Sequence, residues 1–243
     1  MIKTLLKTLL LLTAVGYLAF AVIKVSRSPE EMVCTGIDYQ FPDSIGPSLI
    51  DADMVAHQLA RKKISPKGKK LADIDIRGIQ DLLAADPYID TLTCYTTASG
   101  KICIRVTPVR PLLHVFADDG DEFYVGEHGE VMPAGGLNCD LPVVTGHVSR
   151  KFASTKLLSL AHLLRDDAYW GRQTQQVNID PQGRLELVPR FCDQKIILGD
   201  PRDLENKLER VRLFYEKAMP KAGWNKYNII NATYNDQIIC TKE

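Results

Sequence analysis

Apolar and polar residues alternate through the segment Ile230–Cys240, as they do in a strand that is buried on one face. The even positions are largely apolar, while Asn231, Thr233 and Asn235 between them are polar. A period of two predicts a half-buried β-strand. Since a strand must satisfy its backbone N–H and C=O groups, we expect a neighbouring strand, either the one around Lys195–Leu198 or an adjacent one.

Residues 33–107 follow the order strand, helix, helix, strand, strand. Alternation within 33–41 predicts the first strand, and apolar residues at helical spacing predict helices within 48–63 and 72–86. Two further strand patterns flank the turn at Ser99–Gly100. This order predicts a small α+β unit in which helices cover one face of a sheet.

Residues 110–243 are dominated by short strand patterns, and two helical patterns interrupt them. Apolar residues on several sides of Ser154–Trp170 predict a helix that is buried on more than one side. The second helical pattern is clearer, because Asp200 stands in the position of an N-cap and Pro201 fits the first helical position. Apolar residues then recur every three or four positions through 204–218. The pattern predicts a β-rich domain that carries helices.

An uncharged, apolar run, Thr8–Ile23, lies between two lysines near the start of the sequence. The run is slightly shorter than the roughly 20 residues that span a bilayer, and lysine stems can extend its reach. We therefore predict a transmembrane helix over 5–25 after a short cytoplasmic tail, 1–4. A signal peptide cleaved after the A-x-A-like Ala19–Ala21 and a helix buried in a soluble protein are the alternatives. The charges beside the run differ too little to fix its orientation.

Composition narrows the possible functions. The chain is 45% hydrophobic, and 30 basic residues balance 30 acidic ones, so its charge does not indicate a nucleic-acid partner. The common nucleophile, phosphate-binding and metal-binding motifs are absent, and the five histidines are scattered. We therefore expect a non-enzymatic protein with no catalytic residue, cofactor, metal or small-molecule substrate.

The six cysteines contain no CxxC pair and no Cys/His cluster at metal-ligand spacing. Free thiols are one interpretation, since half-buried cysteine often serves as a small hydrophobic residue. The alternative is a disulfide between Cys94 and Cys103, which would lie near each other across one hairpin if the chain is exported.

The arrangement of these elements resembles the bacterial division proteins FtsQ and DivIB. The resemblance is sharpest in "KIILGDPRDLENKLERVRLFY" and "GWNKYNIINATYNDQIICTKE", particularly as found in Bacteroidetes-type members, and it extends to "EFYVGEHGEVMP" and "DLPVVTG". It implies an α+β architecture with a single N-terminal transmembrane helix, a POTRA domain (β-α-α-β-β) over 33–109, and a C-terminal β-rich domain over 110–243 with helices packed on the sheet.

The resemblance also implies a function, which is that of a non-enzymatic divisome scaffold. Such a protein is a single-pass type II protein of the cell inner membrane, with the bulk of the chain in the periplasm. Its expected partners are FtsB-like and FtsL-like division proteins and the septal cell-wall synthesis machinery. The family's partner-binding region falls on both sides of an expected turn or bulge at Asn235–Asp236, on Thr233, Tyr234, Gln237, Ile238, Ile239 and Cys240. The expected mode is β-augmentation, in which a partner strand pairs with an exposed sheet edge.

Two kinds of alternative stay open at this point. Tyr234 is either an anchor for the partner or a core residue of the sheet. The protein as a whole is alternatively a POTRA-containing envelope protein of secretion or outer-membrane assembly, or a secreted envelope enzyme released by cleavage after Ala21.

Overall fold

The computed structural model describes residues 2–25, 32–42, 48–134 and 139–242. Residues Ile2–Val25 form helix α1. Among the helices of the described ranges, none is both long enough and apolar enough to cross a membrane. The assignment of residues 5–25 as a transmembrane helix stays a prediction. The chain after α1 contributes to two compact units, which are described separately.

The first unit has the predicted order of elements. Its strands and helices are β1 (Gly36–Gln40), α2 (Ala52–Arg61), a 3-10 turn (Leu71–Asp73), α3 (Ile76–Ala84), β2 (Ile89–Thr96) and β3 (Lys101–Pro108). Within the described residues of this unit the sheet order is β1-β3-β2, and β1 runs parallel to β3. Each helix buries an apolar pair, namely Val55 with Leu59 and Ile79 with Leu83. The apolar stripes that predict the two helices are therefore the faces that the unit buries.

All six cysteines lie in the described ranges, and all are free thiols. Cys94 in β2 and Cys103 in β3 are both buried. Burial, together with the nearby Cys103, raises the pKa of the Cys94 thiol to about 11. A thiol that resists deprotonation is a poor nucleophile, so Cys94 behaves as a packing residue, in line with the free-thiol interpretation.

The second unit contains residues 48–51, 85–90 and 107–242 of the described chain. Its strands are β4 (Pro111–Ala117), β5 (Glu122–Gly126), β6 (Val131–Pro133), β7 (Val143–Gly146), β8 (Thr174–Ile179), β9 (Leu185–Pro189), β10 (Lys195–Gly199), β11 (Ile229–Asn231) and β12 (Ile239–Thr241). Within the described residues they form one nine-stranded mixed sheet in the order β12-β11-β10-β9-β8-β7-β4-β5-β6. The parallel pairs are β4 with β7, β7 with β8, and β10 with β11.

Helices connect the strands of this sheet and build its main core. They are α4 (Arg150–Lys156), α5 (Leu158–Asp166), α6 (Ala168–Gln173), α7 (Leu204–Lys217) and α8 (Met219–Ala222). Alternate strand residues such as Val177, Leu187 and Ile230 are fully buried in one cluster with Trp170 of α6 and Val211 of α7. One face of the sheet is therefore packed against helices, as the half-buried pattern of its strands requires.

Two helix predictions need correction. The single helix predicted over Ser154–Trp170 is divided between α4, α5 and α6, with Leu157 between the first two. Asp167 separates α5 from α6, because its carboxylate accepts hydrogen bonds from the backbone N–H groups that open α6. Asp200 does not cap α7, since its side chain accepts from Arg202 instead. The helix begins at Leu204, after Asp203 in a left-handed conformation with φ of 56°.

Candidate functional site: the open edge of the nine-stranded sheet

The segment with the alternating pattern lies at one end of the nine-stranded sheet. β11 runs parallel to β10, with Ile229 opposite Lys195, so the predicted neighbour is confirmed. The segment is a hairpin of two short strands, however, and not one continuous strand, because β12 folds back antiparallel to β11 with Cys240 opposite Ile230. The chain turns between them at Asn235–Asp236, where a turn or bulge is expected, and Asp236 adopts a left-handed φ of 61°.

The apolar alternation identifies the buried face of this hairpin correctly at most positions. Ile230 and Ala232 are fully buried, and Ile238 and Cys240 are half-buried against the same core. Tyr234 is the exception, because it is 50% exposed. The interpretation of Tyr234 as a core residue of the sheet is therefore wrong.

Helix α7 holds the loop between β11 and β12 in place. The Arg210 guanidinium donates to the backbone carbonyls of Ala232 at 3.0 Å and Tyr234 at 3.2 Å. The backbone N–H of Thr233 donates to the side chain of Asn231 at 2.9 Å. These bonds fix the backbone on which the exposed Thr233 and Tyr234 side chains stand. Arg210 has no signal in the sequence pattern, since its role depends on a contact between a helix and a distant loop.

Gly199 lets this loop lie close to the end of β10. Its φ of +68° lies in the left-handed region, and a Cβ at this position would come within 2.9 Å of the Thr233 side chain. Both the conformation and the close approach favour glycine. The end of β10 and helix α7 therefore position the same loop from two directions.

Hydrogen bonding defines which backbone groups of β12 point outward. The Ala232 N–H bonds to Ile197 and the Lys195 N–H bonds to Asn228, so the even positions of β11 are directed at β10. The odd positions then pair with Ile239 and Thr241. By the alternation of an antiparallel ladder, the N–H and C=O of Cys240 face away from the sheet.

The side chains of β12 differ in exposure. Ile239 is 45% exposed and Thr241 is also exposed, while Cys240 is half-buried. Burial raises the pKa of the Cys240 thiol above its usual range, so Cys240 is a protonated packing residue at neutral pH. Among the strands that the structure describes, none pairs with the outer side of β12. This edge therefore offers unpaired backbone groups together with an exposed apolar side chain.

The opposite edge of the same sheet is protected at Pro133. In β6 the Gly126 N–H bonds to Glu130, so by alternation Met132 bonds to β5 while Val131 and Pro133 point outward. Proline has no N–H to offer a further strand, and the Tyr88 hydroxyl donates to the Pro133 carbonyl at 2.7 Å.

Histidine and acidic residues are dispersed over the rest of the described chain. No three His, Cys, Asp or Glu side chains come together there as ligands for a metal ion. His114 lies with its Nε2 2.9 Å from a Glu122 carboxylate oxygen and stacks on Tyr124 at 4.3 Å between ring centroids. The pair ties β4 to β5 across their ladder.

The fold and the site together define a class of protein. A small unit of order β-α-α-β-β precedes a larger mixed sheet that ends, among its described strands, at β12 on one side and at β6 on the other. Residues 32–107 match the family model of a POTRA-like domain. Residues 110–241 match the family described as FtsQ/DivIB, C-terminal related. No curated protein matches the chain.

The second match covers more than half of the chain, so the chain belongs to the FtsQ/DivIB family. This confirms the resemblance, while the Bacteroidetes subtype stays a prediction. The family consists of cell-division scaffolds, generally non-enzymatic, that interact with other proteins of the divisome.

Proposed function

We propose that this protein is a membrane-anchored scaffold of the divisome that binds an FtsB-like protein, as part of an FtsB-FtsL-like pair, by strand addition to β12. The observation that carries the proposal is the contrast between the two ends of one sheet. The edge at β6 carries Pro133 and the Tyr88 hydroxyl, whereas the edge at β12 offers the backbone of Cys240. Natural sheets usually protect their edges, so an edge left open favours a binding function.

The binding mode assigns a role to each predicted site residue. A partner strand beside β12 would bond to the outward N–H and C=O of Cys240 and would pack a side chain against the exposed Ile239. Ile238 supplies an outward N–H by the same alternation. Tyr234 would act as an aromatic anchor at the loop, since half-exposed aromatic residues on a fixed backbone often dominate interface energies. Thr233 and Gln237 are exposed beside it.

The location of the protein is part of the proposal and is supported by the sequence. The uncharged run Thr8–Ile23 fits an anchor over 5–25, with 1–4 in the cytoplasm. The chain would then be a single-pass type II protein of the inner membrane, with residues 33–243 in the periplasm. There the scaffold would recruit or position the septal cell-wall synthesis machinery.

Photo-cross-linking from β12 tests the binding mode. The full chain carrying p-benzoyl-phenylalanine in place of Ile239 is expressed in its own cells and irradiated. We expect an adduct with a small division protein whose cross-linked peptide is an extended segment. Leu213, which is 40% exposed on α7, is the matched control position because its exposure is similar and it lies on a helix. A membrane preparation in which position 239 gives no adduct contradicts the proposal.

Depletion tests the cellular role independently. Cells that lose the protein should elongate into filaments or form chains, because septum formation would lack its scaffold. Normal division at full depletion would exclude the divisome function.

A further inference from the structure

Two large aromatic side chains of the second unit stand half-exposed in one cluster near the open edge. Phe191, in the loop before β10, is 40% exposed, and Trp224, in the loop before β11, is 42% exposed. Their ring centroids are 5.6 Å apart at an angle of 82°. Both rings also contact the buried ring of Tyr215, at 5.2 and 5.7 Å. The cluster therefore presents two ring surfaces to the outside on a buried aromatic base.

A buried polar network fixes both loops. The side-chain carbonyl of Gln194 accepts from the Tyr215 hydroxyl at 3.1 Å and from the Cys192 thiol at 3.3 Å. The amide nitrogen of Gln194 donates to the backbone carbonyl of Trp224 at 2.8 Å. Because these bonds already order the loops, a ligand that contacts the rings does not have to order them.

The two rings border a cleft of about 570 Å³. Its other lining residues include Val188, Gln175 and Lys195. Lys195 lies opposite Ile229, and Ile229 lies opposite Thr241 of β12. Neighbouring strands are about 4.8 Å apart, so Lys195 at the cleft is roughly 10 Å from Thr241 across the sheet. The cleft therefore lies about two strand spacings from the Thr241 end of the open edge.

Charge indicates the chemistry of the occupant. Positive charges outnumber negative ones around the cleft. Lys195 lines it, and Lys226 and Lys242 lie close by in the chain, two residues after Trp224 and one after Thr241. Among the described lining residues, Asp193 carries the single carboxylate. The carbonyl of Thr241 accepts from the Asn228 N–H at 3.0 Å, which brings the segments of Lys226 and Lys242 together. A polypeptide that passes this end of β12 meets aromatic ring faces and positive charge.

We propose that the cleft bordered by Phe191 and Trp224 receives an aromatic side chain of the same partner polypeptide that pairs with β12, with an acidic residue of that partner beside Lys195. The inference rests on the proposed function, since it takes the occupant from the strand-adding partner. The aromatic side chain packs against the exposed surfaces of the two rings in an edge-to-face arrangement, which is a favoured geometry of aromatic pairs. It lies just outside the paired strand, at the end that passes Thr241.

Photo-cross-linking from position 224 tests this inference in the full chain. With p-benzoyl-phenylalanine in place of Trp224, we expect an adduct with the protein that position 239 captures. The added strand lies one spacing beyond β12 and so roughly 15 Å from Lys195, which an extended chain of about ten residues spans easily. The peptide linked at position 224 should therefore lie within about ten residues of the one linked at 239. The aromatic probe retains a ring at the site, so the loop keeps its packing.

Each other outcome is decisive. If position 239 gives its adduct while position 224 captures a different protein, a second copy of this chain or nothing, the cleft assignment is wrong and the strand-addition proposal stands. If position 239 gives no adduct, both proposals fall.

The second test measures binding affinity for a synthetic peptide of the partner. The peptide contains both segments of the partner that are cross-linked, the one from position 239 and the one from position 224. Phe191→Ala should weaken peptide binding by about tenfold or more, as truncation of an interface aromatic residue does. Leu213→Ala, which removes a similarly exposed apolar side chain from α7, should leave binding unchanged. A double-mutant cycle between Phe191 and the aromatic residue of the peptide should be non-additive. Additive effects would overturn the contact.

Discussion

The two edges of the nine-stranded sheet are built in opposite ways. At β6 one of the two outward positions is Pro133, which has no N–H and whose carbonyl already accepts a hydrogen bond from the Tyr88 hydroxyl. At β12 the outward position is Cys240, with an ordinary backbone and an exposed neighbour in Ile239. The same ladder geometry therefore produces a protected edge and a receptive edge, depending on the residue at the outward position and what covers it. The comparison supports the proposed interaction site at β12.

The largest expected effect is the loss of partner binding on Ile238→Pro, which makes the open edge resemble β6. Proline removes the outward N–H at this position and resists addition of a strand. We expect binding to weaken by at least about 30-fold, or about 2 kcal/mol. The measurement is capture of the FtsB-like partner by the full chain from membranes, followed by titration.

Ile238→Ala is the matched control for the proline variant. It removes the half-buried side chain but keeps the backbone N–H, so it should lower the free energy of unfolding while retaining most of the binding. Equal loss of binding in both variants would show that the side chain, and not the edge N–H, recognises the partner.

Arg210→Met tests whether α7 supports the open edge. Methionine retains much of the apolar stem but removes the donors to the carbonyls of Ala232 and Tyr234. Hydrogen bonds from a charged donor contribute about 1.5–3 kcal/mol, so we expect a loss of about 2 kcal/mol in the free energy of unfolding. Hydrogen exchange should show the largest loss of protection in β11 and β12. Protection that falls equally in β4 and β5 would contradict a local role.

These contacts also explain what the sequence predicts and what it does not. The order of elements in the first unit and the neighbour of β11 follow from local periodicity, and the structure agrees with both. The closing contact at β6 joins residues 45 positions apart, and the contact between Arg210 and Ala232 spans 22 positions. Periodicity within one segment carries no information on such pairs. The alternation at Ile230–Cys240 likewise indicates the buried face, while the turn at Asn235–Asp236 follows from the family resemblance and not from periodicity.

Opening the closed edge should have a smaller effect. Tyr88→Phe removes the hydroxyl that bonds to Pro133, which should cost about 1 kcal/mol. Pro133→Ala in the same chain then adds an outward N–H at β6. We expect concentration-dependent self-association of the double variant by sedimentation, because it has a second receptive edge. Pro181→Ala, in the turn between β8 and β9, is the control for loss of a proline. A double variant that stays monomeric would mean that other features protect this edge.

The smallest expected change in stability comes from Tyr234→Ala. The Tyr234 side chain is half-exposed, so its truncation should change the free energy of unfolding by no more than about 0.5 kcal/mol. Ile230→Val is the matched reference inside the same hairpin, where loss of one buried methyl group should cost about 0.5–1.5 kcal/mol. Partner binding should show the reverse order, with Tyr234→Ala weakening it more than Ile230→Val. The expected result would show that the exposed position of this hairpin serves binding and the buried position serves stability. A Tyr234 variant that is less stable but binds normally would instead show that Tyr234 is not part of the site, and strand pairing at β12 would then be the main determinant of partner binding.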